Sequence, residues 1–179
     1  VDFAKFDNSK LYSLLGRDHQ QVRLRAQFEL AKRQQAGADL FLKAAFDQSA
    51  STFTRIHGIW GLGQMTLNKN YADLTKLIDL LDDKNDQVRI QAARVLGDNR
   101  IQAAEKKLID ALSDKHPRVV MYAAIGLGRL QSSKSIPALM SAIKKNNDQD
   151  LFLRHGLVMG LAGVQDKSKL TAYDKDESP

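Results

Sequence analysis

The chain has 179 residues, of which 43% are hydrophobic, and its formal net charge of +6 at pH 7 arises from 27 Lys and Arg against 21 Asp and Glu. Because it contains no cysteine, disulfides, thiolate metal sites, a cysteine nucleophile and thioether attachment of haem are excluded within these residues. No apolar run is long enough to predict a membrane span, and the mixed charge permits an anionic partner without indicating one.

Apolar residues recur at three- and four-residue spacing along almost the whole chain, which has only three prolines, so the sequence predicts an all-α protein. The predicted helices alternate between the first and the second helix of a pair, joined by a short polar turn. In chain order, the first helices are predicted at 8–16, 38–47, 71–83, 101–114 and 135–146.

An internal repeat relates these helix pairs. The stretches "LIDLLDDKNDQVRIQAARVLGD" and "LIDALSDKHPRVVMYAAIGLGR" align without a gap at an offset of 31 residues. A reference leucine near the end of each second helix stands at Leu30, Leu62, Leu96, Leu127 and Leu161. The residue after it is always small, namely Ala31, Gly63, Gly97, Gly128 and Ala162. Small residues at a fixed register indicate close helix packing, whereas a phosphate-binding reading of "RIHGIWGLGQM" lacks the required motif.

The repeat predicts a right-handed α-solenoid of about five helix pairs, at 8–36, 37–68, 69–100, 101–132 and 133–165. We expect a single domain over 1–179, in which 166–179 begin a further, truncated repeat of a larger protein. The recurring order of Asp, Val-Arg, Ala and Leu-Gly resembles the short HEAT-like units of many bacterial proteins.

An arginine stands seven residues before four of the five reference leucines, at Arg23, Arg55, Arg89 and Arg154. This position faces the packed side of the helix. We therefore expect a structural ladder in which each guanidinium bridges successive repeats through a turn aspartate such as Asp86 or Asp114. An anion-binding ladder is the alternative.

The inner stripe consists of the positions five and two residues before the reference leucine and two residues after it. In a solenoid the second helices line the concave wall, so this stripe predicts the partner surface, and its aromatic residues and arginines are common interface anchors. The candidate interaction residues are Arg25, Phe28, Lys32, His57, Trp60, Gln64, Arg94, Tyr122 and Arg129. Alternatively, the bulky members of the stripe only pack between adjacent repeats. These are Phe28, Trp60, Ile125 and Met159.

The four histidines lie in different repeats, without carboxylates at metal-ligand spacing, and no nucleophile-elbow pattern occurs. The sequence therefore predicts no catalytic residue, no metal site and no cofactor, and favours a protein that is not an enzyme.

Four stretches resemble the HEAT-repeat segment of the large PVC-type haem-binding proteins: "VRLRAQFELAKR", "RIHGIWGLGQM", "QVRIQAARVLGD" and "DLFLRHGLVMGLAG". In that family a β-propeller similar to sugar dehydrogenases precedes the repeats, and a cytochrome-c-like domain with a Cys-x-x-Cys-His motif follows them. The resemblance implies a periplasmic or otherwise extracytoplasmic redox protein, although neither flanking domain occurs within these residues.

Three functions follow as hypotheses. The first is a non-catalytic scaffold or protein-interaction module, which binds flanking domains of its parent or another polypeptide and inserts into no membrane. The second is anion or nucleic-acid binding along a basic inner wall, which Glu29 and Asp98 interrupt. The third is an enzyme similar to bilin lyases, whose repeats look alike, but no acid, base or nucleophile stands out for it.

Overall fold

A computed structural model of the chain describes residues 2–69 and 72–173, with side chains for all of these except 67–69. Within these ranges every regular element is an α-helix or a 3-10 helix, and there is no strand. The predicted all-α class is thereby confirmed. The chain divides into two units, Val1–Val95 and Leu96–Pro179. The single domain over 1–179 stays a prediction.

The first unit contains four α-helices and two 3-10 helices before it reaches α5. In chain order they are the 3-10 helix Phe3–Lys5, α1 (Asn8–Leu14), α2 (Gln20–Ala31), α3 (Gln34–Phe46), α4 (Thr52–Lys69), the 3-10 helix Leu74–Asp82 and α5 (Asp86–Asp98). Polar caps begin several of them, as where the Asp7 carboxylate accepts a hydrogen bond from the Lys10 amide at 2.7 Å. The core is formed by fully buried side chains such as Leu30, Phe41 and Ile59.

The second unit begins within α5 and continues through shorter elements. These are the 3-10 helix Gln102–Ala104, α6 (Glu105–Asp110), the 3-10 helix Ala111–Ser113, α7 (Pro117–Arg129), the 3-10 helix Ser133–Ser135, α8 (Ile136–Asn146), α9 (Leu151–Val164), α10 (Lys167–Leu170) and the 3-10 helix Thr171–Tyr173. Pro117 is suited to open α7 because the first position of a helix needs no amide hydrogen bond. The core again contains reference leucines, here Leu127, together with Leu108 and Leu139.

The predicted first helices occur, but two of them differ in kind from the expectation. The stretch predicted at 71–83 is a nine-residue 3-10 helix, and Tyr71 lies outside the described residues. Leu74, Leu77 and Leu80 are three residues apart and all buried, and three-residue spacing matches the turn of a 3-10 helix. The stretch predicted at 101–114 alternates between 3-10 and α-helix over 102–113.

A left-handed residue recurs four positions after the reference leucine, just after α5, α7 and α9 and at the first residue of α3. The four cases are Gln34, Arg100, Gln131 and Gln165, with φ between 52° and 59°. None is glycine, although this conformation costs other residues about 1 kcal/mol. The repeat therefore fixes the backbone at this turn, a feature that the sequence does not signal.

The small residues of the repeat lie where neighbouring helices pack backbone to backbone. A Cβ added at Gly160 of α9 would stand 2.6 Å from the Ala124 carbonyl oxygen of α7, and one added at Gly163 would stand 2.8 Å from Gly128. In the first unit, a Cβ at Gly58 would stand 2.6 Å from the Phe41 carbonyl oxygen of α3. Gly58 and Gly61 of "RIHGIWGLGQM" thus lie inside α4, against α3.

We expect Gly160→Ala to lower the free energy of unfolding by about 2 kcal/mol, because the new methyl group meets a carbonyl that cannot move without shifting α7. This is the net loss, because alanine favours the helix by about 1 kcal/mol more than glycine does and so offsets part of the clash. Gly156→Ala is the comparison variant, since its methyl group meets a side-chain atom, Met121 Cγ, that rotation about χ1 can move, and we expect a smaller loss than for Gly160→Ala. Urea unfolding measures both. Equal stability of the two variants would contradict backbone contact as the reason for Gly160.

Candidate functional site

A buried ion pair joins the second and third helix pairs in the first unit. Arg55 binds Asp83 with two hydrogen bonds, from Nη1 to Oδ1 at 3.0 Å and from Nη2 to Oδ2 at 2.6 Å. Its Nε donates to the Ala45 carbonyl at 3.0 Å. This bridge between repeats uses Asp83, at the end of the turn's 3-10 helix, whereas Asp86 lies in the first turn of α5. All the strong polar groups of the pair are thus engaged within the protein.

The carboxylate of Asp83 stays ionised despite its burial. Burial raises its pKa, but hydrogen bonds from the Arg55 guanidinium, the Asn85 amide and the Gln48 side chain outweigh this effect and lower the pKa to about 2. Gln48 donates to Oδ2 at 3.1 Å and the Asn85 amide to Oδ1 at 2.9 Å. The ion pair therefore persists across the physiological pH range.

The other arginines at this repeat position bind the turn within their own helix pair. Arg23 donates from Nη1 to the Arg17 and Asp18 carbonyls, and Arg89 donates in the same register to the Asp83 and Lys84 carbonyls. Arg154 reaches the Asp148 carboxylate at 2.9 Å, again six residues back. Because Arg23, Arg55 and Arg89 are buried and hydrogen-bonded, their contacts are those of structural side chains. The sequence predicted the arginine positions but not these carbonyl partners.

His57 is 2% exposed, so its prediction as part of the interaction surface is wrong. The side chain points from α4 towards α2, where Arg23 Nε donates to its Nε2 at 3.1 Å. Since that nitrogen accepts, Nδ1 carries the proton and donates to Gln27 Oε1 at 2.7 Å. Gln27 Nε2 then donates to Gln64 Oε1 at 3.0 Å. Burial, and in addition the charge of Arg23, lower the pKa of His57 to about 4, so the ring is neutral.

Trp60 lies half-buried beside this network and connects two second helices. Its indole Nε1 donates to Gln91 Oε1 at 2.9 Å, and its ring meets that of His57 edge-on with 5.0 Å between centroids. Gln91 is buried. The indole N–H of Trp60 is therefore hydrogen-bonded to the neighbouring repeat, as expected of a side chain that packs between repeats. Only part of its ring remains exposed to a partner.

The inner-stripe residues of α2 are exposed. Phe28 is 49% exposed, and Arg25 lies with its guanidinium 6.0 Å from the Phe3 ring. Lys32 forms an ion pair with Glu29 at 2.9 Å, so part of the basic charge is neutralised. Further along the first unit, Gln64 is half-buried and Arg94 is exposed.

The second unit has a groove of about 520 Å³ at its inner stripe. Ile125 and Met159 are among its apolar lining residues, and Gly128 and Gly163 also line it. Met159 is 51% exposed. The remaining lining residues are Arg100, Gln102, Arg129, Leu130, Gln131 and Gln165, none of which is acidic. Arg129 is exposed and ion-paired with Asp98, while Tyr122 is half-buried outside the groove lining.

Arg100, Gln131 and Gln165 are functional candidates that the sequence did not predict. They are the left-handed residues at the ends of α5, α7 and α9, and this conformation turns them into the groove lining. Their residue types give no signal of this conformation in the sequence, and their common distance of four residues from the reference leucine relates them only once the structure is known.

The described part of the chain holds no cluster of three or more metal-ligating side chains. None of the described helices is both long enough and apolar enough to span a membrane.

Comparison with known proteins identifies the repeat. The family model for HEAT repeats matches residues 74–162. The structure of the complex of CpcE and CpcF of phycocyanin lyase from Nostoc sp. PCC7120 is similar, with a TM-score of 0.62 and 19% identity over 86% of this chain and 96% of that one. The crystal structure of an engineered protein has a TM-score of 0.59 and 16% identity over 93% of this chain and 83% of that one. No curated protein sequence matches. At these identities the likeness shows the fold alone, and it confirms the predicted α-solenoid.

We expect the free energy of unfolding to fall by up to about 3 kcal/mol as the pH falls from 6.5 to about 4. The folded pKa of His57 lies below the unfolded value, so protons bind preferentially to the unfolded chain in this window. The free energy of unfolding is therefore not lowered by His57 above pH 6.5, and it falls as the pH falls through this window. The lowered pKa of Asp83 reduces the free energy of unfolding only at lower pH.

Urea unfolding at a series of pH values measures this slope. His57→Gln should remove it, and His155→Gln, a change at an exposed position, should leave it intact. An unchanged slope in His57→Gln would show that the buried ring is not its source.

Proposed function

Because residues 74–162 match the family model for HEAT repeats, we propose that the protein is a non-catalytic scaffold that binds another polypeptide through its inner stripe. The observation that carries this proposal is the groove of the second unit. A half-exposed methionine lines it together with two glycines and with arginine and glutamine residues. Such a mixture of apolar and hydrogen-bonding groups is what protein partners use.

The chemistry of the groove indicates what kind of segment it takes. Met159 and Ile125 offer a flexible apolar contact, which suits an aliphatic or aromatic side chain. Arg100 and Arg129 border it, and a guanidinium can bind a carboxylate with two hydrogen bonds. We therefore propose a peptide segment that carries an apolar side chain next to acidic ones.

The similar structure of CpcE with CpcF is a complex of two proteins, which supports a protein partner for a fold of this kind. The resemblance to PVC-type haem-binding proteins supports a finer proposal. In it, the repeats belong to a larger exported redox protein, act outside the cytoplasm and hold a dehydrogenase domain near an electron acceptor. In that arrangement the chain would bind its parent's own flanking domains.

Nucleic acid or another polyanion is the less favoured ligand. Of the basic residues on the inner stripe, Lys32 is ion-paired with Glu29 and Arg129 with Asp98. A polyanion would have to displace these carboxylates, whereas an uninterrupted basic track would offer counterion release at no such cost.

Selection of a random-peptide library against the 179-residue chain tests the proposal. We expect peptides in which an apolar residue neighbours acidic ones, with affinity reduced at least about tenfold, or about 1.4 kcal/mol, by Met159→Lys. Val158→Lys is the matched control, because Val158 is 50% exposed on the same helix but does not line the groove.

The proposal fails if no selected peptide depends on Met159. It also fails if the chain binds duplex DNA with a steep salt dependence, or if it turns over a substrate without its flanking domains.

A further inference from the structure

The left-handed residues of the second unit contribute one polar side chain to the groove from each of three successive second helices. Arg100, Gln131 and Gln165 follow the ends of α5, α7 and α9, and all three are exposed and line the groove. Within the described residues 2–69 and 72–173, no carboxylate pairs with Arg100. The groove therefore has one uncompensated guanidinium and two amide side chains, each from a different layer.

The backbone at these three positions would suit glycine better than the residues that are present. Their φ values lie between 52° and 59°, in a region that disfavours residues with a Cβ. Helices commonly end on a glycine at such a turn. All three positions nevertheless have a long side chain that lines the groove, and backbone strain of this kind is common where a side chain serves in binding.

The two glutamines offer the polar groups that a peptide backbone needs. Gln131 Nε2 donates to Gln165 Oε1 at 3.5 Å, a long bond between two exposed side chains that a ligand can replace at little cost. Because an amide side chain has both donors and an acceptor, the pair can bind an N–H and a C=O group together. The guanidinium of Arg100 only donates, and it suits a carboxylate.

The distance between layers matches the repeat of an extended peptide. The axes of packed helices lie about 8–10 Å apart. In a polyproline-II segment every third residue faces the same way, and three residues advance by about 9 Å. A segment that crosses the ends of α5, α7 and α9 can therefore present one side chain to each layer.

We propose that the segment bound in the groove is extended, that Gln131 and Gln165 hydrogen-bond its backbone, and that Arg100 binds one of its carboxylates, an inference that rests on the proposed function. In these roles the glutamines set the path of the segment whatever its sequence. Arg100 and the apolar residues Ile125 and Met159 select its side chains.

An α-helical segment is a poorer occupant of the groove. Its backbone N–H and C=O groups are bonded within the helix, so the two glutamine amides would find only side chains. A helix about 16 Å long, enough to cross two layers, and about 10 Å wide fills about 1,300 Å³, which is more than twice the groove volume of about 520 Å³.

The test compares two displayed peptide pools of equal length, selected against the 179-residue chain. Both pools carry random apolar and acidic residues. One has proline at every third position, which prevents a helix, and the other has alanine there, which favours one. Because the groove takes an extended backbone, we expect the best peptides of the proline pool to bind at least about tenfold more tightly than those of the alanine pool.

Variants of the chain identify the groups that hold the peptide. Gln131→Gly together with Gln165→Gly should lower the affinity for every proline-pool peptide at least about tenfold, while the midpoint of urea unfolding stays equal or rises, since glycine accepts the left-handed backbone. Asn147→Gly is the matched control, because Asn147 is left-handed at the end of α8 but does not line the groove. It should leave the affinity unchanged. Arg100→Gln should weaken acidic peptides but not their amide analogues.

The outcomes separate this binding mode from the proposed function. If alanine-pool peptides bind as tightly as proline-pool peptides, or if the double glutamine variant keeps full affinity, the extended mode is overturned. The proposed function then stands as long as Met159→Lys still weakens binding. Binding by neither pool overturns both.

Discussion

The close approach of neighbouring second helices is the constraint on which the rest of the second unit depends. α7 and α9 meet at Gly128 and Gly160, where a Cβ on either residue would stand 2.6 Å from a carbonyl oxygen of the other helix. At this separation only small residues fit, and the helices bury backbone against backbone. The larger side chains then have to lie beside the contact line, either in the core with the reference leucine or on the inner stripe.

The turns between helices contain backbone carbonyl groups that are buried when the repeats stack tightly, and these groups need hydrogen-bond partners. The arginine seven residues before the reference leucine stabilises the turns in two ways. At Arg23 and Arg89 the guanidinium satisfies turn carbonyls, and at Arg55 it neutralises the buried Asp83 of the next pair. Each of these side chains is buried and hydrogen-bonded within the protein, so its guanidinium is not presented to a ligand.

Much of the fold follows from periodicity, which is a local property of the sequence. The reference leucines, the small residues after them and the order of first and second helices could all be predicted in this way. The burial of His57 could not, because it depends on Arg23 and Gln27, which lie on another helix. The left-handed conformation of Arg100 could not either, since Arg100 is itself neither glycine nor asparagine, the residues that adopt this conformation most readily. The burial of His57 thus depends on tertiary contacts, and the periodicity of the sequence reveals neither feature.

The same inner-stripe positions serve different purposes in the two units, and this difference explains where a groove can form. Five residues before the reference leucine, α4 has His57, which binds polar side chains of its neighbour, while α9 has Gly156. Two residues after it, α4 has Gln64, hydrogen-bonded to Gln27, while α9 has Gly163. Both flanking positions are glycine in α9, and Met159 between them is 51% exposed and lines the groove. The glycines that allow α7 and α9 to pack closely thus flank the half-exposed methionine of the groove.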